Sequence, residues 1–191
     1  MTMRALALVA AMACGFTACF SRTRAEDPLP GPRQDAAVVA DADTSKRRVV
    51  ASAFVPVPPW EAWDWIASSD RLEQWLAQEV ALDVIVGGPV RLTTDGVVTE
   101  GSVSAVDEPT SMAWSMAASD GAARVVTFRV SGEVGGSRIH VDEGPFSADR
   151  SGEVTAVSHR KRWGEALGVL RAAVERRLPT EPQDSPFVAS P

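Results

Sequence analysis

The chain has no tyrosine, only two histidines and two cysteines, and fewer basic than acidic residues. Each scarcity excludes something. With no tyrosine and aromatics at only 6%, a cluster of tryptophans is not a by-product of general aromatic richness. The two cysteines, Cys14 and Cys19, both precede the body of the chain, which therefore holds neither a disulfide nor a thiol nucleophile. His140 and His159 have no third ligand at a diagnostic spacing, so no metal site is expected. Nineteen Lys and Arg against 25 Asp and Glu give a net charge of -6, and there is no basic stripe. That balance argues against a nucleic-acid partner. G-x-S-x-G, a phosphate-cradling glycine loop and paired carboxylates at glycosidase spacing are all missing. No cofactor and no catalytic residue is expected.

What is present begins with an export-like leader. Met1–Arg4 is positively charged, Ala5–Ala13 is apolar, and small residues follow. This is the layout of a secretory signal. The apolar run is shorter than the roughly 20 residues that span a bilayer. Phe16-Thr17-Ala18-Cys19 resembles a lipobox, which implies lipidation at Cys19 and a domain tethered to a membrane of the bacterial cell envelope. Ordinary cleavage nearby, giving a secreted or periplasmic soluble protein, is the alternative. Residues 1–19 are thus expected to be signal, 20–46 a Pro-, Ala- and Asp-rich disordered tether, 47–178 the domain, and 179–191 a Pro-rich disordered tail.

Within the domain, Pro58–Leu76 (PPWEAWDWIASSDRLEQWL) holds four of the six tryptophans. A double proline starts a helix well. Trp60, Trp63, Ile66 and Ala67 fall on one helical face, which would pack on a sheet and leave Trp65 partly exposed. Ser68-Ser69-Asp70 breaks the pattern, and Arg71–Ala77 makes a second short helix. Before this pair, Val49, Ala51, Ala53 and Val55 alternate as a half-buried strand. After it, alternating runs at Val80–Val86, Pro89–Thr94, Val97–Val106, Met112–Met116, Val126–Val130 and Arg138–Asp142 predict further short antiparallel strands. Gly101 inside one run predicts a bulge or a close contact. From about Thr155 the period becomes helical, with Trp163, Leu167, Leu170, Val174 and Leu178 in one stripe. Gly164 and Gly168 beside it each cost about 1 kcal/mol relative to alanine, so a close approach or a ligand should account for them.

This order resembles the START-like (SRPBCC) superfamily, in the branch named for the activator of heat-shock-protein-90 ATPase homologue. Ala62-Trp63 with Leu72 and Trp75 resembles its opening helices, and Gly87-Gly88 its double-glycine turn. Glu100-Gly101 through Asp107-Glu108-Pro109 to Trp114 resembles its central strands, and Trp163–Val174 its closing helix. The resemblance covers about Val49–Glu175. It departs at Trp163-Gly164, where the family has glycine before the tryptophan, and at Asp142–Thr155, which has no match. It implies an α+β helix-grip: a curved antiparallel sheet of six or seven strands around a long C-terminal helix, with two short helices after the first strand.

Many members bind an apolar small molecule or a lipid between sheet and helix. Carried onto this chain, the resemblance implies a cavity lined by Trp75, Met112, Trp114, Phe128, Trp163 and Leu167, with Trp75 nearest its mouth. An enzyme of the same fold, cyclase or hydrolase-like, and an interaction module with a filled core are the rivals. The cytosolic chaperone partner in the branch name does not suit an exported chain. His140 and Asp142 share one strand face opposite Ile139 and Val141, as a solvent-facing ladder would. His159 opens a basic run that is expected to be a solvated helix start.

Overall fold

Eight strands form one antiparallel sheet, and their alternation decides what each face carries. The computed structural model describes residues 35–40, 46–117 and 123–178. The leader with Cys19, most of the stretch 20–46 and the tail 179–191 lie outside the described residues. In chain order the elements are β1 (Asp35–Ala40), β2 (Lys46–Val55), α1 (Pro59–Ala67), α2 (Ser69–Leu72), β3 (Glu79–Leu82), β4 (Pro89–Thr94), β5 (Val97–Asp107), β6 (Ser111–Ala117), β7 (Ala123–Glu133), β8 (Gly136–Ser147) and α3 (Arg150–Glu175). The spatial order is β1-β2-β8-β7-β6-β5-β4-β3, so β2 pairs with β8, far away in sequence. This is the helix-grip. Seven of its strands are those the alternation predicts; the eighth, β1, lies in the stretch expected to be a tether and pairs along β2.

One face of the sheet carries α3. Val49, Ala51, Ala53 and Val55 of β2 are buried, as are Ile139 and Val141 of β8, Val126, Phe128 and Val130 of β7, and Met112, Trp114 and Met116 of β6. From α3, Trp163, Leu167, Leu170 and Val174 are buried as the stripe predicts, whereas Leu178 falls past the helix and is exposed. The helix starts at Arg150, earlier than expected, because the Asp149 side chain accepts from the Gly152 N–H at 2.7 Å and caps it. Those donors hold the Asp149 carboxyl below the usual aspartate range, first through Gly152 and then through Ser147.

The helix pair corrects the expected tryptophan roles. Trp60 is 67% exposed and Trp65 fully buried. The buried face of α1 is Ala62, Trp63, Trp65 and Ile66, rotated from the predicted one. Two cations lie over the Trp65 ring. The Arg71 guanidinium lies 4.7 Å from the Trp65 ring centre, and that of Arg177, beyond α3, lies 5.5 Å away. A second correction concerns Val80–Val86. The strand ends at Leu82, and Ile85 and Val86 are exposed in a loop. The Ile85 N–H bonds back to the Asp83 carbonyl, and Gly87 turns with φ +86°.

Two glycines have opposite surroundings. A Cβ on Gly101 would collide with the Ser115 carbonyl oxygen and sit 2.6 Å from Met116 Sδ, so this is the close contact the sequence suggests. The bulge of β5 comes later, between Val103 and Ala105. A Cβ on Gly164 would meet only Ala36 of β1, at 4.0 Å, an ordinary contact. Gly164→Ala is therefore expected to stabilise the domain by about 0.5–1 kcal/mol, and Gly101→Ala to destabilise it by about 1–3 kcal/mol. Urea unfolding of the two variants checks both signs.

Candidate functional site

Between sheet and α3, cross-strand register builds three rows. Glu143 of β8 faces Val126 of β7, which faces Trp114 of β6, which faces Val103 of β5. Next to it run Val141, Phe128, Met112 and Val106. On the other side Arg124 of β7 faces Met116, which faces Gly101. The missing side chain at Gly101 is what lets Met116 lie across β5. Two rings of the sheet pack with a helix ring. Trp114 and Phe128 have centroids 4.6 Å apart at 57°, and Phe128 meets Trp163 edge-on at 5.8 Å and 78°. Both geometries suit aromatic quadrupoles. Leu167, one turn after Trp163, is fully buried.

The register brings a charge into this apolar face. Glu143 follows Ile139 and Val141 at the strand period and is 5% exposed. The Trp163 indole N–H donates to its Oε2 at 2.7 Å, and His159 Nδ1 lies 2.9 Å from both carboxylate oxygens. A carboxylate only accepts, so Nδ1 carries the proton. The His159 ring also stands edge-on to Phe146 at 5.2 Å, and the Arg124 guanidinium lies 4.8 Å from the centre of the same ring. His159 is thus a partly buried partner of Glu143, which corrects the expected solvated position. Its placement follows from the early start of α3, which aims residue 159 at β8.

Of the residues expected to line a cavity, Met112, Trp114, Phe128, Trp163 and Leu167 are all buried in the core that the sheet and α3 share. Trp75 shares that core. It is 5% exposed, and its indole N–H donates to the Trp65 carbonyl at 3.0 Å, tying the segment after α2 to α1. Glu143 and Arg124 were missed. The signal was there: each continues the apolar alternation of its strand by two residues. His140 and Asp142 face the other side of the sheet, as expected.

The Trp114 Nε1–H is buried and finds no acceptor among the described residues. Trp65 shares this state in the helix pair, beneath its two arginines. Burying an indole contributes about 4–6 kcal/mol, from 150–250 Å² at 25 cal/mol/Å². An unpaired N–H costs about 1–3 kcal/mol. Burial wins, so Trp114 stays inside with its donor unmet. Among the described residues no group of three or more His, Cys, Asp or Glu could hold a metal ion, and no helix is long and apolar enough to cross a membrane.

Fold and site define a START-like helix-grip domain of the SRPBCC type. Residues 56–175 match the family model "Activator of Hsp90 ATPase homolog 1-like protein", and the chain belongs to that family. No curated protein matches the chain. Solved structures share the fold at low identity. CalU16 from Micromonospora echinospora has a TM-score of 0.61 and 19% identity, over 74% of this chain and 83% of its own. A Mesorhizobium loti protein has 0.61 and 21%, over 69% and 98%. The Aha1 dimer from Colwellia psychrerythraea has 0.59 and 12%, over 67% and 96%.

Trp163→Phe keeps a ring against Phe128 and removes the bond to Glu143. Loss of a bond to a buried charge is expected to cost about 1.5–3 kcal/mol, read from urea unfolding. In a double-mutant cycle with Glu143→Gln the two effects should fall short of additivity, because they share that bond.

Proposed function

We propose that this is a ligand-binding SRPBCC domain, a reading that its family and fold support. We propose that the ligand is an apolar small molecule or lipid taken up between the sheet and α3, by binding rather than catalysis. The observation that carries this is the buried Trp114 N–H, a donor with no acceptor inside an aromatic lining. A mostly apolar pocket with a few placed polar groups is the usual form of a small-molecule site. Glu143 supplies the polar end. The lining side chains themselves pack closely, with Phe128 and Leu167 fully buried. Opening would move Met112 and Met116, whose unbranched side chains repack at low cost. We further propose that lipidation at Cys19 tethers the domain to the bacterial cell envelope; the lipobox-like Phe16–Cys19 supports this.

The filled interior favours a second reading, an interaction module without a ligand. Native mass spectrometry of the protein purified from its source separates the two. A co-purified apolar mass is expected, and Trp114→Phe should weaken its retention roughly fivefold to tenfold, the worth of one hydrogen bond. A bare mass in repeated preparations leaves the module reading standing. For the tether, Cys19→Ala is expected to move the protein from the membrane to the soluble fraction; unchanged fractionation refutes lipidation there.

A further inference from the structure

The sheet face turned away from α3 carries a groove of about 650 Å³ that the proposed ligand does not use. One cross-strand row runs along it: Asp107 of β5, Ser111 of β6, Arg129 of β7, His140 of β8 and Ser52 of β2. Neighbouring strands lie about 4.8 Å apart. A cation and an imidazole therefore sit side by side in the middle, with a hydroxyl-bearing residue on either flank. We propose that this groove is a second binding site, for a compact oxyanion such as a phosphate or carboxylate group, seated between Arg129 and His140.

The charges around it point the same way. Arg138 is held by Glu133 in a two-point pair at 2.6 and 3.0 Å. Asp142 accepts from Arg48 Nε at 2.7 Å, so its charge is already matched. Asp107 ends the row two strands from Arg129 and accepts from the Thr110 hydroxyl at 2.8 Å. The Arg129 side chain makes no ion pair or hydrogen bond among the described residues, and it is exposed to the groove. A guanidinium is weakly hydrated and offers two parallel donors, the geometry an oxyanion takes. Ser131 Oγ lies 3.4 Å from His140 Nε2, and the Arg138 Nη1 lies 3.5 Å from Ser52 Oγ, so hydroxyls ring the imidazole. Burial lowers the His140 pKa below the ordinary histidine value. Arg138 and Arg129 push the same way, against Glu133. An oxyanion beside the imidazole would oppose the two arginines and push the His140 pKa back up.

The chain's two histidines make the test self-controlled. The full-length protein is titrated by NMR with inorganic phosphate and, separately, with acetate, at ionic strength held constant with chloride. His140 is expected to shift saturably at millimolar anion while His159, on the other side of the sheet, does not move. One negative charge at about 5 Å in a water-like dielectric raises the His140 pKa by roughly half a pH unit. Arg129→Gln, an exposed change, should weaken the anion about tenfold. Saturation by phosphate alone assigns a phosphate group, and saturation by both extends the site to carboxylates. No shift at His140, equal shifts at both histidines, or an unchanged titration in the Arg129 variant overturns the proposal.

Discussion

The seating of α3 on the sheet depends on the Glu143 carboxylate. The apolar stripe of α3 supplies the attraction, but that attraction is non-directional. A helix held only by Leu167, Leu170 and Val174 could rotate or slide with little change in buried area. Glu143 removes that freedom, accepting from Trp163 at 2.7 Å and His159 at 2.9 Å, one turn apart on the helix. Burying a carboxylate costs several kcal/mol. Charge-assisted bonds at about 1.5–3 kcal/mol each offset that cost. The net gain is small, and what remains is orientation: the Trp163 ring edge-on to Phe128, and His159 fixed with its proton at Nδ1.

A rigid element needs two fixed points, and the second is the start of the helix. Only Ala148 and Asp149 separate β8 from α3. Asp149 caps Gly152, and a Cβ there would strike the Ser147 carbonyl, so the first turn lies directly against the strand end. Arg47 of β2 donates to the Ala148 carbonyl at 2.8 Å and holds the connection from the other strand. With the cap at 149–152 and the carboxylate at 159–163, the axis has little room to vary. The lining rings then meet at fixed angles, which a binding site built from side chains requires.

Much of this was legible from period alone. Strand alternation placed seven strands and their buried faces, and the helical stripe named the residues of α3 that meet them. The failures share a cause: pattern shows which residues want burial but not which partner arrives. Trp65 was placed at the surface because its cover comes from Arg71 and from Arg177, distant in sequence. Asp35–Ala40 looked like a linker because its apolar run is short and its pairing partner β2 is what makes it a strand. Glu143 was overlooked because an acid ends an apolar run in most readings, whereas here β8 continues through it to Ser147. The buried residues of the sheet and α3 came together because the first obey strand alternation and the second the helical period. Trp75 shares their core, and its indole N–H ties the segment after α2 to α1.

The same alternation gives the sheet two chemistries, and β8 carries both. Ile139, Val141 and Glu143 point toward α3, and Arg138, His140 and Asp142 point away. A slip of one residue would exchange the two sets, burying an arginine and a histidine, so the register is strongly enforced. The two faces also need not sense one another. His140 and Glu143 are three residues apart, about 10 Å along a strand. Unit charges at that separation interact by about 0.4 kcal/mol in water and about 1.7 kcal/mol at an effective dielectric of 20. The outer groove is open to solvent, so the lower figure governs, and salt screens it further. An anion there would change affinity on the α3 side by less than about threefold unless β8 itself moved, and β8 is held between β2 and β7 along its length. A shared strand therefore makes the two faces neighbours without making them a switch.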